Sequence, residues 1–240
     1  MSEGFVATGF ERVRAAFDAQ LSEEIGAGFA ATRDGKVVVD IWGGWADRAQ
    51  TRPWAQDTIV PVYSTTKGVS AIVMALLADR GLLDYEATTA SLWPAFGAHG
   101  KDRVTVAQTL AHQAGVPGFL EPIDNDLWLD PAACAEAIAA LAPLWPPGNA
   151  SGYHPLTWGY IVGELALLAS GRSLGTILRE DICAPLGLDF TIGTPASEHP
   201  RAAEIKKPSQ GGDFGEITPP RKAAFFTPWA SVKRGGPRWR

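Results

Sequence analysis

The chain has 240 residues, 46% of them hydrophobic and 20% charged, a balance typical of a folded domain and not of a disordered chain. Its net charge of −5 argues against a nucleic-acid-binding protein. The charge is uneven, because residues 1–200 hold 12 Lys/Arg against 23 Asp/Glu, net −11, and residues 201–240 hold 9 against 3, net +6. We interpret the basic end as a solvated or salt-bridged segment.

The N-terminal part predicts one helix and the start of a sheet. Apolar side chains recur at helical spacing over residues 8–21, which indicates an amphipathic helix. Two extended runs, residues 28–32 and 36–42, follow it. They are joined by Arg33-Asp34-Gly35, and Asp-Gly between such runs is typical of a hairpin. This segment therefore predicts the beginning of an antiparallel sheet.

The middle of the chain is predicted to be helical. A long apolar helix is predicted from Gly68 to Arg80 with Gly81 as its C-terminal cap, and further helices are predicted over residues 104–113, 131–141, 156–170 and 173–184. Beyond Thr191 no periodic segment is longer than a few residues. These patterns predict an α+β fold in three parts: residues 1–63, the first part of an α/β domain; 64–190, a long helix and a helical region; and 191–240, an extended basic segment rich in Pro and Gly.

The two cysteines and the N-terminus bear on the compartment. Cys134 and Cys183 lie in apolar helical patterns without a neighbouring Cys or His ligand, so we interpret them as buried free thiols. The first residues do not have the pattern of a signal peptide, and no apolar run has the length of a bilayer-spanning helix. We expect a cytoplasmic protein without a membrane partner. The four histidines lack the spacing of metal ligands, so no metal is expected.

The pair Ser64 and Lys67 has the spacing that serine activation requires. Serine is a weak nucleophile and needs a base within hydrogen-bonding distance, and residues three apart in a helix share one face. The helix N-terminus favours negative charge on the serine oxygen, and the N–H of Ser64 can serve as one oxyanion donor. The alternative is that Ser64 only caps the helix while Lys67 is an exposed first-turn residue. Ser-x-x-Lys alone does not decide between the two.

Several segments together resemble a known family. Residues 62–68, Val-Tyr-Ser-Thr-Thr-Lys-Gly, resemble the first motif of the class C β-lactamase and penicillin-binding-protein superfamily, most closely its family VIII carboxylesterases. Residues 104–116 resemble the histidine-containing turn of that family, and residues 171–188 resemble the helix that follows its second motif. Pro147-Gly148 and then Gly152-Tyr153-His154 resemble the second motif itself.

The resemblance implies a fold, a reaction and a set of site residues. The fold would be the β-lactamase/transpeptidase type, an antiparallel sheet flanked by helices with a helical region beside it. Ser64 would be the acylated nucleophile, Lys67 its activating partner and Tyr153 the phenol that carries the proton to the leaving group. The expected substrate is a small or medium carboxylic ester, with no cofactor. The residues expected to bind the substrate are Tyr63, His154 and Trp158.

Two departures from the family leave alternatives open. The second motif usually reads Tyr-x-Asn, whereas here Pro155 takes the place of Asn, which disfavours β-lactamase activity. No strand with the third motif is recognised after Leu188, and Lys233-Arg234-Gly235 fits that motif only superficially. The last part of the sheet is therefore expected to be missing, which a homo-oligomer or a complementing C-terminal segment would supply. A β-lactamase, a D-alanyl peptidase, an acyltransferase and an inactive remnant that serves as a binding module remain as alternatives.

Overall fold

The computed structural model describes residues 1–205 and 215–229. The chain divides into two compact units. Among the described residues, the first unit comprises 1–62 and 194–205, and the second comprises 63–193 and 215–229. The residues 233–235 that superficially fit a third motif lie outside the described part of the chain.

The first unit contains a three-stranded antiparallel sheet and one helix. Its elements are β1 (Glu3–Val6), α1 (Glu11–Leu21), β2 (Gly26–Arg33) and β3 (Lys36–Gly44), with strand order β1-β3-β2. The predicted hairpin is confirmed: Asp34 and Gly35 have φ of 52° and 73°, and both central residues of the tight hairpin turn need positive φ. Strand β1 was not predicted, because a four-residue strand containing Gly4 is too short to show a periodic pattern.

The return segment of the first unit packs beside the loop that follows β3. A 3₁₀ turn spans Ala196–Arg201, and Ala202 forms a single parallel bridge with Ile59. The guanidinium of Arg52 donates hydrogen bonds to the carbonyl oxygens of Pro200 and Ala202. This segment is positioned by hydrogen bonds to its backbone carbonyls and not by apolar side chains. Apolar periodicity therefore could not predict its position.

The second unit is helical. Its α-helices are α2 (Thr65–Asp79), α3 (Thr89–Leu92), α4 (Val106–Leu110), α5 (Pro131–Ala139), α6 (Thr157–Ser170), α7 (Leu174–Ile177), α8 (Ala184–Leu186) and α9 (Pro219–Arg221). 3₁₀ turns span Pro94–Gly100 and Asn125–Leu129, and π-helical turns span Leu178–Cys183 and Lys222–Phe226. Within the described residues no single helix is long and apolar enough to cross a membrane; α6 and the stretch Leu174–Leu186, bent by 70°, meet that test only as a pair.

Helices α2 and α6 form the centre of the core of this unit. Both bury one face, with Val73, Met74 and Leu77 from α2 and Ile161 and Leu165 from α6 at most 1% exposed. Burying such side chains stabilises the fold by about 1.5–3 kcal/mol each. Because α2 and α6 pack against each other, the first turn of α2 and the segment before α6 have a fixed relative position.

Residues 215–229 belong to the second unit and form a short helical segment. Ala223 and Ala224 in the π-helical turn are buried. The indole N–H of Trp229 donates to the carbonyl oxygen of Phe119, and that of Trp128 donates to the carbonyl oxygen of Trp229, both at 3.0 Å. The sequence predicted an extended segment here. The structure instead shows short helical turns, which are fixed by the two indole hydrogen bonds and by the two buried alanines.

Candidate active site

Ser64 lies directly before α2, after a residue with an unusual backbone. Tyr63 has φ of +47°, a left-handed conformation that costs a non-glycine residue on the order of 1 kcal/mol and that often occurs at active sites as well as in turns. The carbonyl of Tyr63 accepts from the N–H of Thr66, and that of Ser64 accepts from the N–H of Lys67, which begins the helix. The bend at Tyr63 leaves the side chain of Ser64 exposed at the start of the helix.

The hydroxyl of Ser64 is held by the two predicted partners. The phenol of Tyr153 donates to Ser64 Oγ at 2.6 Å, and the ammonium of Lys67 donates to the same oxygen at 3.3 Å. Ser64 occupies the N-cap position of α2, yet its side chain accepts no capping hydrogen bond from the helix backbone. The Ser64 side chain thus does not cap the helix, and its hydroxyl faces Lys67 and Tyr153 instead.

Lys67 is only partly exposed and has a second acceptor. Its ammonium donates to the carbonyl oxygen of Pro155 at 2.8 Å and lies 5.0 Å from the ring centre of Tyr153 and 5.8 Å from that of Trp158. No carboxylate in the described part of the chain forms an ion pair with Lys67. The positive charge is therefore available to an anionic oxygen at Ser64.

The Tyr153 side chain is positioned by contacts with neighbouring rings and is partly exposed to solvent. Its side chain is 43% exposed, and its ring lies 4.9 Å from that of His112 and 6.4 Å from that of Phe225. The next residue, His154, donates its backbone N–H to Nδ1 of His112 at 3.1 Å. The phenol is thus positioned by contacts on its ring and on its backbone.

The His154 side chain is buried behind Tyr153 and has partners at both ring nitrogens. Nε2 accepts from the N–H of Val116 at 3.0 Å, so the proton sits on Nδ1, which donates to the carbonyl oxygen of Gly152 at 2.5 Å. Burial lowers the pKa of His154 to about 4, against a smaller opposite effect of the Gly152 carbonyl. The side chain is 1% exposed, which does not agree with the substrate contact expected from the sequence. Its position suits a support for Tyr153.

Trp158 and Tyr63, the other expected substrate contacts, differ in exposure. Trp158 is 5% exposed and donates its indole N–H to the carbonyl oxygen of Leu110, so it packs near Lys67 rather than at the surface. Tyr63 is 46% exposed beside Ser64, where contact with a substrate stays a prediction.

Three contributors to the site had no clear signal in the sequence. A backbone carbonyl such as that of Pro155 has no residue-type signature. Phe225 lies 72 positions from Tyr153 in a segment without periodicity. His112 lies in the segment 104–116 that resembles the family's histidine-containing turn, and its φ is +63°. Burial and, to a lesser extent, the charge of Lys67 lower the pKa of His112, which favours the neutral form of the ring in contact with Tyr153.

Comparison with known proteins agrees with this geometry. Residues 13–233 match the family model described as Beta-lactamase. The chain belongs to the beta-lactamase family. Esterase/beta-lactamase LipL of Mycobacterium tuberculosis (strain ATCC 25618 / H37Rv) is 44% identical over 185 residues, 76% of this chain and 43% of that protein. This member of the beta-lactamase family spans about half the length of the curated relatives it matches.

Solved structures show that the fold is of the β-lactamase/transpeptidase type, as predicted. A penicillin-binding protein homologue from Caulobacter crescentus is 47% identical, with a TM-score of 0.95, over 100% of this chain and 65% of that one. A family VIII carboxylesterase is 44% identical, with a TM-score of 0.81, over 86% and 57% of the two chains. The resemblance read from the motifs is thus confirmed at the level of the family and of the fold.

Proposed function

We propose that this chain belongs to a serine hydrolase that cleaves small or medium carboxylic esters through an acyl-enzyme on Ser64. The observation that carries the proposal is the double hydrogen bond to Ser64 Oγ from Tyr153 at 2.6 Å and from Lys67 at 3.3 Å. A serine with a proton carrier and a cation in contact is the arrangement that nucleophilic catalysis needs. Relatives named as an esterase and as a carboxylesterase support the same class of reaction.

In the first half-reaction Ser64 attacks the ester carbonyl. The reactive form of the Tyr153–Lys67 pair lacks one proton and takes the proton of the Ser64 hydroxyl as the new C–O bond forms. The N-terminal end of α2 and the charge of Lys67 stabilise the developing negative charge. The ester C–O bond then breaks, and Tyr153 gives its proton to the departing alcohol oxygen, which leaves acyl-Ser64 and a free alcohol.

In the second half-reaction the same groups activate water. Tyr153 takes a proton from a water molecule, the water oxygen attacks the acyl carbon, and the proton returns to Ser64 Oγ as the carboxylic acid leaves. If an alcohol takes the place of water, the same steps transfer the acyl group. Product analysis with added alcohol therefore distinguishes a hydrolase from an acyltransferase.

A fluorophosphonate probe tests the proposal on the full 240-residue chain. We expect covalent labelling at Ser64, found by peptide mapping, and loss of labelling in Ser64→Ala. Ser91→Ala, which removes another exposed serine of the same unit, is the matched control and should label like the unmodified chain. A burst of nitrophenol from a short-chain nitrophenyl ester should accompany labelling. A folded chain that neither labels nor shows a burst contradicts the proposal and supports the binding-module alternative.

A further inference from the structure

Two phenylalanines extend the aromatic surface around Tyr153. The ring of Phe225 is stacked with that of Tyr153 at 17° between planes, with 6.4 Å between ring centres, and Phe226 packs edge-on against Phe225 at 6.3 Å. These separations are within the range of attractive aromatic pairs. The side chains of Phe225 and Phe226 are 43% and 36% exposed. An apolar surface therefore continues from the catalytic phenol to the solvent.

The segment that carries these rings is firmly held. The neighbouring Ala223 and Ala224 are buried, and Gly118 packs so closely on the backbone of Ala223 that a Cβ at Gly118 would overlap it. Further along, Trp229 is held by hydrogen bonds to and from the 119–128 region. Since anchored backbone flanks both phenylalanines, their partial exposure is a fixed feature of the fold and not the result of a loosely attached end. Apolar surface that stays exposed beside Tyr153 is the kind of surface that a substrate group could contact.

The position of Tyr153 indicates which half of an ester meets this surface. A group that protonates a leaving oxygen must come within about 2.6–3.2 Å of it. The alcohol oxygen of the substrate must therefore lie near the phenol oxygen of Tyr153, while the acyl carbon is bonded to Ser64 Oγ. The substituent of the alcohol continues from that oxygen along the Tyr153 side, where Phe225 lies.

We propose that Phe225, supported by Phe226, forms the wall of a subsite for the alcohol part of the ester and favours aromatic or bulky apolar alcohols. This inference rests on the proposed function and adds to it the chemical class of the leaving alcohol. The exposed part of the Phe225 ring offers apolar contact to an aryl group, and a short alkyl alcohol makes little contact with it.

Two acetate esters test this assignment because they share the acyl group. Benzyl and ethyl acetate release alcohols of similar basicity, so a difference between them reports contact and not leaving-group chemistry. In Phe225→Ala we expect kcat/KM for benzyl acetate to fall by about 3- to 10-fold, the range of one aromatic contact, with ethyl acetate little changed. Phe225→Leu keeps apolar bulk without the flat face and should give a smaller loss. Phe29→Ala, at another exposed phenylalanine, is the control.

Deacylation separates the alcohol side from the acyl side. The acetyl-enzyme is the same whichever alcohol has left, so its hydrolysis rate should be unchanged in Phe225→Ala. A slower deacylation, or a change in preference among acyl chain lengths, would place Phe225 on the acyl side and overturn the inference. Equal losses for both acetates would overturn it as well. If no ester acetylates Ser64 in the unmodified chain, the proposed function itself fails. If the unmodified chain is acetylated but Phe225→Ala gives one of the contrary results above, only this inference fails.

Discussion

The ammonium of Lys67 donates a hydrogen bond of 2.8 Å to the carbonyl oxygen of Pro155, two residues after the phenol that contacts Ser64. The same ammonium donates to Ser64 Oγ at 3.3 Å. One cation therefore joins the first turn of α2 to the segment that carries Tyr153. Because a backbone carbonyl is the acceptor, a proline at position 155 serves as well as any other residue for this contact.

Replacing Lys67 by methionine should abolish rapid acylation. Met keeps an apolar stem of similar length near Trp158 but removes both hydrogen bonds and the charge. We expect the nitrophenol burst rate to fall by about 10²- to 10⁴-fold, the usual contribution of acid–base catalysis. The free energy of unfolding should fall by only about 1 kcal/mol. Lys36→Met, at the exposed first residue of β3, is the matched control, and an unchanged burst in Lys67→Met would exclude the lysine from the reaction.

Tyr153→Phe should separate the proton carrier from the packing role. The ring contacts with His112 and Phe225 survive, whereas the hydrogen bond to Ser64 is lost. We expect kcat/KM for an alkyl ester to fall by about 10²- to 10⁴-fold. A nitrophenyl ester should lose less in its acylation step, since nitrophenolate leaves without a proton. The melting temperature should stay nearly constant, and equal losses for both esters would contradict the proton-transfer role to the leaving group.

The local part of the site could be predicted from the sequence. Ser64 and Lys67 are three residues apart in one helix turn, so their proximity depends only on helix geometry. Their contact with Tyr153 spans 89 residues of chain, and only the resemblance to a family suggested it. No periodicity or spacing in this chain implies that contact, because it results from the packing of α2 against α6.

The remaining contributors depend on tertiary contacts that leave no pattern. His154 was expected at the substrate, but whether the histidine after Tyr153 faces the solvent or the core depends on the backbone N–H of Val116, which hydrogen-bonds to it. Phe225 sits in a π-helical turn within a segment that has no apolar period. Such positions are fixed by a few long-range contacts, which a single sequence does not encode as a recognisable pattern.

The His154 side chain should make the fold sensitive to acid. Its pKa is about 4 in the folded chain and 6.5 in the unfolded chain, so the unfolded state binds the proton first as the pH falls. Stability is therefore lost between about pH 6.5 and pH 4, by about 3 kcal/mol in total. Urea unfolding at pH 7, 5.5 and 4.5 measures this loss. In His154→Gln, whose amide oxygen can accept from Val116, the slope should become shallower, and an unchanged slope would contradict the assignment.

Lys101 should have an effect of the same sign in alkaline solution, because its pKa is also lower in the folded chain than in the unfolded chain. It is fully buried, and its ammonium donates to the carbonyl oxygens of Ala98 at 2.7 Å and Leu141 at 2.5 Å. Burial lowers its pKa to about 8 from 10.5, so the unfolded chain binds more protons between these values and stability rises with pH. One proton limits the slope to about 1.4 kcal/mol per pH unit. Comparing Lys101→Met with the unmodified chain at pH 8 and 10 isolates this contribution, which should be absent in the variant.

Gly118→Ala should displace the aromatic wall without changing an aromatic residue. The new Cβ would overlap the backbone of Ala223, so residues 219–226 must shift, at a cost of about 1–3 kcal/mol. We expect faster proteolytic cleavage in this segment and the same loss of preference for benzyl acetate as in Phe225→Ala. Gly159→Ala, where a Cβ in α6 meets open space, is the matched control and should be neutral or slightly stabilising. If Gly118→Ala is cleaved faster yet keeps its preference, the wall does not depend on this anchor.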